Sequence, residues 1–272
     1  MPPTKSKIVI AFDLYGTILS TESIAKDLAT HLNISRSKAQ AVAAKWRQYQ
    51  LEYTWRITAM GTYKPFDKIT RAALRHAAAE LEGIDVSDEA AERLMAAHDA
   101  LAVFPDVPAG LRAVQQNQWG RAGALDVEAV IFSNGTERML STSVGSSPDL
   151  KPFVSGGGGG GGIGGLFKKL VTVDEVRTYK PTAQAYSHLQ AEADEDNDAV
   201  VWLVSANPFD VAGARSVGLR SAWIDRAGTG WVDRLGEAIF GVGDDVRKRR
   251  ARPTVIAKGV DQAVEEILKI GI

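Results

Sequence analysis

The sequence predicts an α/β fold, a doubly wound parallel sheet of the Rossmann-like kind carrying an all-α insertion after its first strand. Three observations predict it. Short runs rich in Val and Ile recur along the chain without polar alternation, and helical patterns separate most of them. Residues 21–102, directly after the first run, hold helix formers and no convincing strand. A strand that does not alternate is covered on both faces, and strands that alternate with helices build parallel sheets.

The elements follow in order. Lys7–Phe12 (KIVIAF) is the first strand and runs into Asp13-Leu14-Tyr15-Gly16-Thr17. Helical patterns come next at Ile24–Leu32, Ser35–Met60, Phe66–Leu81 and Ser87–Leu101. Pro105-Asp106-Val107-Pro108 marks the return to the core. The expected division is therefore a core of residues 1–20 and 103–272 and a helical cap domain of residues 21–102. Further strands are expected at Glu128–Phe132, Leu170–Val173, Ala199–Val204 and Arg220–Ile224, with helices at Thr136–Val144, Pro181–Glu192 and Phe209–Val217. The segment from Gly156 to Gly165 is nearly all glycine but lacks the Gly-Lys-Ser/Thr of a phosphate-binding loop, and it reads as a flexible surface insertion.

Composition removes several function classes. The 272 residues are 45% hydrophobic and 24% charged, with a formal net charge of −1, so no global field favours nucleic acid or an anionic membrane. The basic residues Arg247, Lys248, Arg249, Arg250 and Arg252 read as a solvated loop. No cysteine is present, which rules out disulfides and thiolate chemistry. The stretch Met1–Lys7 is short and polar, unlike a secretory signal, and no run reaches the roughly 18 apolar residues of a membrane span. A cytoplasmic enzyme without nucleic-acid or membrane partners is the expectation.

In an open α/β sheet, ligands bind beyond the carboxyl ends of the strands. Four such ends carry polar groups here: Asp13 with Gly16 and Thr17; Ser133-Asn134-Gly135; Lys180 before Pro181; and Ser205, Asn207 and Asp210. Each has a plain alternative, since Ser-Asn-Gly is commonly a turn, Asp210 could cap a helix, and Lys-Pro could start one. The combination of carboxylate, hydroxyl, ammonium and second carboxylate at successive strand ends is what points to chemistry.

That combination resembles the haloacid dehalogenase superfamily, whose motifs are a nucleophilic Asp, a Ser/Thr, a Lys and an acidic loop, here Asp13, Ser133, Lys180 and Asp210. The resemblance runs from Ile8 to about Asp225. Within the superfamily, phosphatases carry a second Asp two residues after the nucleophile, where this chain has Tyr15. They also need carboxylates for Mg²⁺, and the fourth motif offers Ser205 and Asn207 before Asp210. Halide needs no proton to leave. The stretch Trp46–Trp55 (WRQYQLEYTW), Phe66, and the pattern Ser205, Asn207, Asp210 are similar to the L-2-haloacid dehalogenase (type II) family, although by composition an aromatic helix with one Arg is ordinary core packing.

The resemblance implies a metal-independent and cofactor-free hydrolase that converts (S)-2-haloalkanoic acids and water to (R)-2-hydroxy acids. Asp13 would attack C2 and form an ester. Arg47 and Asn207 would receive the halide, with Phe209 beside it where the family often has Trp. Ser133 and backbone N–H groups near Leu14, Tyr15 and Asn134 would meet the substrate carboxylate, with Lys180 close by. Lys180 would pair with Asp13, and Asp210, held by Lys180 and Ser205, would orient the hydrolytic water. Tyr15, Gln48, Leu51 and Phe66 would wall the alkyl pocket, and Thr17 would support the Asp13 loop. A homodimer is a family expectation. Arg56, the glycine run and Gly120–Val127 depart from the family pattern. The rivals are a Mg²⁺-dependent phosphatase of the same fold and a non-catalytic binding relative. His31, His76, His98 and His188 lie in helical segments without triad context and read as surface or cap-packing side chains.

Overall fold

The computed structural model describes residues 7–118, 126–154, 165–195, 198–241, 250 and 252–271. Among them, six parallel strands form one sheet in the order β3-β2-β1-β4-β5-β6. The strands are β1 (Lys7–Asp13), β2 (Asp126–Ser133), β3 (Phe167–Thr172), β4 (Ala199–Ser205), β5 (Arg220–Ile224) and β6 (Val255–Ala257). Ile8, Val9, Ile10, Ala11 and Phe12 of the central strand are fully buried. That explains the unbroken apolar run, because burying each large side chain on both sheet faces contributes roughly 1.5–3 kcal/mol.

From β1 the chain moves to one side through β2 and β3, then returns to the other side as β4. The reversal falls between β1 and β4, where a crevice opens at the carboxyl ends. Register brings the polar ends level: Asp13 is paired with Phe132, the neighbour of Ser133, while Phe12 is paired with Val204, the neighbour of Ser205.

Between β1 and β2 lie α1 (Ala25–Leu32), α2 (Arg36–Ala59), α3 (Phe66–Glu82), α4 (Asp88–His98) and α5 (Val107–Gln118). Ser35 and Ser87 cap α2 and α4 by accepting hydrogen bonds from the N–H groups of Lys38 and Ala90. Helix α4 ends at His98, earlier than the expected Leu101, because Asp99 and Ala100 close it in a turn. The two strands of chain that lead into and out of the helical block lie side by side. Leu19 pairs antiparallel with Val103, Ser20 N–H donates to Ala102 O at 2.8 Å, and Phe104 N–H donates to Ile18 O at 3.0 Å.

Helices α6 (Glu137–Ser146), α7 (Lys151–Val154), α8 (Ala183–Ala193) and α9 (Pro208–Ser216) connect the remaining strands up to β5. The expected strands and helices stop at Ile224, and the structure adds α10 (Leu235–Phe240), β6 and α11 (Val260–Ile270). The expected flexible insertion at Gly156–Gly165 lies outside the described residues except for Gly165, and so does most of Gly120–Val127. Of the basic run, Arg250 and Arg252 are exposed, and the rest lies outside the described residues.

A non-local ion pair fixes the loop after Asp13 to this C-terminal part. Arg226, just after β5, donates two hydrogen bonds to Asp106 at 2.8 and 2.9 Å and one to Thr17 O at 2.8 Å. Asp106 also accepts the first N–H of α11, from Val260, at 2.7 Å. Burial acts to raise the Asp106 pKa, but Arg226 and the Val260 N–H outweigh it and hold the carboxyl below its usual range. The stability this contributes is present above the unfolded value of about 4 and is lost as pH falls through the lower folded value. Asp106→Asn is expected to cost roughly 1–3 kcal/mol at pH 7 in urea unfolding and to flatten the stability–pH curve below about pH 4. An unchanged acid limb in that variant would assign the acid sensitivity elsewhere.

Candidate active site

Asp13 sits at the end of β1, 6% exposed. Its Oδ2 accepts hydrogen bonds from the Thr17 hydroxyl at 2.7 Å, the Asn207 amide at 2.7 Å and the Ser205 hydroxyl at 3.4 Å. Its Oδ1 accepts from Lys180 Nζ at 3.1 Å. One carboxylate oxygen is thus pinned by three donors while the other faces an ammonium. Thr17 Oγ1 also accepts the Ala206 N–H at 2.9 Å, so this hydroxyl ties the β1 loop to the β4 loop. Gly16 adopts φ +88°, the left-handed region that favours glycine, and allows the tight turn after Asp13.

Lys180 is 1% exposed and uses all three of its protons: on Asp13, on Phe132 O at 2.8 Å, and on Asp210 Oδ2 at 2.9 Å. Its ammonium also lies 4.0 Å from the centre of the Phe132 ring. Asn134 accepts the Lys180 backbone N–H at 3.0 Å, which sets where the lysine enters the site. Asp210 is fully buried, and its other oxygen accepts from the Tyr186 hydroxyl at 2.8 Å. Burial raises the Asp210 pKa; Lys180 opposes this and Asp13 adds to it. The sequence expectation that Ser205 holds Asp210 is corrected here. Ser205 turns to Asp13 and to the Asn207 N–H, and Tyr186 is the second partner of Asp210.

Arg47 reaches the same crevice from α2. It donates to Tyr15 O at 3.0 Å, to Asn207 Oδ1 at 3.3 Å and to Gln50 Oε1 at 2.6 Å. Burial works against the guanidinium charge, and Asp13 is the largest of the groups that offset it. Phe209 meets Trp55 of α2 edge-on, with ring centres 5.4 Å apart. The Tyr15 ring packs against Phe66 at 6.0 Å, and both are buried. Leu51 is half-buried one turn beyond Arg47, whereas Gln48 is exposed. The expectation that Gln48 walls the pocket therefore fails on position: it lies about a third of a turn from Arg47, and the buried glutamine of this helix is Gln50. Ser133 and Leu14 are buried beside Asp13, and Ser133 Oγ accepts the Gly135 N–H at 3.1 Å.

Sequence reasoning missed Tyr186, Gln50 and Arg226. The signal for Gln50 was present, since a residue three after Arg47 shares its helix face. Tyr186 looks like any aromatic of a core-facing helix, and only the folded chain shows its hydroxyl on Asp210. Gly213 explains how that tyrosine fits: a Cβ there would come within 2.4 Å of the Tyr186 hydroxyl and 2.7 Å of Pro181 Cβ. Gly213→Ala is therefore expected to destabilise the fold by roughly 1–3 kcal/mol and to displace Tyr186 from Asp210. Thermal unfolding at an unchanged midpoint would contradict that packing.

The donor set does not suit Mg²⁺. The carbonyl two residues after Asp13 accepts N–H groups from Arg47 and from Asn207 at 3.0 and 3.1 Å, and an ammonium lies between the two carboxylates. Among the described residues, Glu175, His188 and Glu192 form a convergent His/Glu group, which includes none of these site residues. No helix among the described residues is long and apolar enough to cross a membrane.

Comparisons with known proteins show the family. The family model described as haloacid dehalogenase-like hydrolase matches residues 9–218. The chain is 32% identical over 228 residues to the haloacetate dehalogenase H-2 of Moraxella sp. (strain B), covering 84% of this chain and 89% of that protein. It is 31% identical to an (S)-2-haloacid dehalogenase of Pseudomonas sp. (strain YL), covering 80% and 83%. Its fold matches the solved L-2-haloacid dehalogenase from Xanthobacter autotrophicus with a TM-score of 0.72 at 24% identity, over 95% of this chain and 97% of that one.

Proposed function

The chain belongs to the haloacid dehalogenase-like hydrolases, and on that footing we propose that it hydrolyses the carbon–halogen bond of short (S)-2-haloalkanoic acids, giving (R)-2-hydroxy acids. The observation that carries this reading is that Arg47 and Asn207 meet at the Tyr15 carbonyl while the same Asn207 amide holds Asp13. Arg47 and Asn207 both donate to the Tyr15 carbonyl, and Tyr15 stands where a phosphatase of this fold carries its second Asp. A hydrolase acting on carbon–halide bonds fits both this and the relatives named dehalogenases.

In the first step a carboxylate oxygen of Asp13 forms a bond to C2 as the carbon–halogen bond breaks and the halide leaves with its electron pair. Arg47 and Asn207, with Phe209 alongside, receive the anion. Attack from the side opposite the halogen inverts C2. The substrate carboxylate lies towards Ser133 and the backbone N–H groups at Leu14, Tyr15 and Asn134, and Lys180 adds positive potential. In the second step water attacks the ester carbonyl of Asp13, and the acyl–oxygen bond breaks. One water proton reaches the departing alkoxide, the other goes to solvent, and Asp13 returns as carboxylate holding one solvent oxygen. Asp210, fixed by Lys180 and Tyr186, orients that water, and its burial-raised pKa makes it a stronger base than an exposed aspartate. The helical cap of residues 21–102 supplies Arg47, Leu51 and Phe66 and shields the ester from bulk water.

The test is chloride release from each enantiomer of 2-chloropropionate in excess EDTA. Turnover of the (S) acid alone, unaffected by chelator, is the expected result. Loss of turnover in EDTA, or Mg²⁺-dependent release from p-nitrophenyl phosphate with no action on any haloacid, overturns the reading.

A further inference from the structure

We propose that His98 is a positioning residue for Arg47, acting through the Gln50 amide as a neutral hydrogen-bond acceptor. The inference rests on the assignment of Arg47 to the departing halide. It follows from counting protons in a buried chain. The Thr70 hydroxyl donates to Phe66 O at 2.7 Å, so Thr70 Oγ1 must accept the 2.8 Å contact from Gln50. That fixes the amide with Nε2 towards Thr70 and Oε1 towards Arg47, whose Nη1 donates to it at 2.6 Å. The second Nε2 proton of Gln50 then faces His98 Nε2 at 3.4 Å. This ring nitrogen can only accept, so the imidazole proton sits on Nδ1.

The surroundings hold that state. His98 is 4% exposed and packed between the rings of Tyr15 and Trp46, with centres 5.1 and 5.4 Å away. Burial, and then the charge of Arg47, push its pKa down to about 3. Nδ1 has no protein partner, so the one nitrogen the protein uses is the one that meets Gln50. Trp46 braces the same turn by donating its indole N–H to Thr70 O at 2.8 Å. Without an acceptor at position 98 the amide keeps only Thr70 of the two acceptors that hold its Nε2 away from Arg47 and its oxygen on it. A flipped amide would set N–H against the guanidinium. The halide-binding cation would then lose its aim, although no atom of His98 touches substrate.

A role that runs through Arg47 should depend on the leaving group, because a poorer leaving halide needs more stabilisation in the transition state. Single-turnover ester formation should be measured with (S)-2-chloropropionate and (S)-2-bromopropionate. His98→Phe keeps the ring but removes the acceptor, and is expected to slow the chloride reaction about tenfold and the bromide reaction less than about threefold. His98→Asn, which restores an acceptor, should recover most of the loss. Gln50→Leu should reproduce the selective loss from the other side, and the double variant should be no worse than Gln50→Leu. Equal losses on both halides, or additive effects, would reduce His98 to a packing residue and overturn the proposal. Nitrogen NMR of the wild type should show Nε2 unprotonated at pH 7; a proton on Nε2 overturns it whatever the variants do. If wild-type protein releases neither halide, the functional reading fails, while the imidazole tautomer still decides the relay.

Discussion

Replacing Asp13 with Asn is expected to abolish dehalogenation, with a fall in kcat/KM of about 10⁴-fold or more, because in the proposed mechanism an amide cannot deliver the oxygen nucleophile at C2. The geometry adds a second effect. Both carboxylate oxygens accept hydrogen bonds, from Lys180 on one side and from Thr17, Ser205 and Asn207 on the other. Whichever way the introduced amide turns, its NH₂ meets a donor, and a buried group left without its partner costs about 1–3 kcal/mol. Halide-release kinetics and urea unfolding read the two effects separately. In the wild type, many turnovers in ¹⁸O-labelled water should place label in the peptide that contains Asp13. Turnover without that label would mean that water attacks the substrate directly.

Lys180→Met is expected to have the largest effect on stability. Its ammonium is the shared partner of two buried carboxylates, and with Arg47 it brings the charge of the Asp13–Asp210 pair to balance. Removing it leaves two like charges facing each other out of water, which for a broken buried pair costs roughly 3–5 kcal/mol. Activity should vanish as well, since the substrate carboxylate would enter a site of the same sign. Adding Asp210→Asn should recover part of the lost stability, because it removes one of the two charges. A loss below about 1 kcal/mol in the single variant would show that the carboxylates are not jointly ionised around the lysine.

The fold was legible wherever it depends on local pattern. Buried strands such as KIVIAF and AVVWLV announce themselves, and so do the polar residues that end them. Asp13, Lys180, Ser205, Asn207 and Asp210 meet because parallel strands stop at one level, which follows from topology once the strands are placed. Partner choice within the site was not legible. Ser205 and Asp210 are close in sequence, yet the hydroxyl turns to Asp13 while Tyr186, from another helix, takes Asp210. The pairing of Asp106 with Arg226 spans the core and has no local signature. The C-terminal helix did have one, since Val260, Ala263, Val264 and Ile267 follow the helical period and are buried. The last strand, only Val255–Ala257, is too short to be recognised by pattern.

The paired segments at Leu19 and Val103 have a consequence for how such a molecule can be built and rebuilt. Because the helical block departs and comes home through one narrow doorway, the sheet below would need no rethreading if another block were spliced in at the same threshold. The threading of the sheet is thereby independent of the block, although the block carries Arg47 into the site. Yet the doorway opens six residues from Asp13, so whatever tilts the visiting module also tugs on that carboxylate.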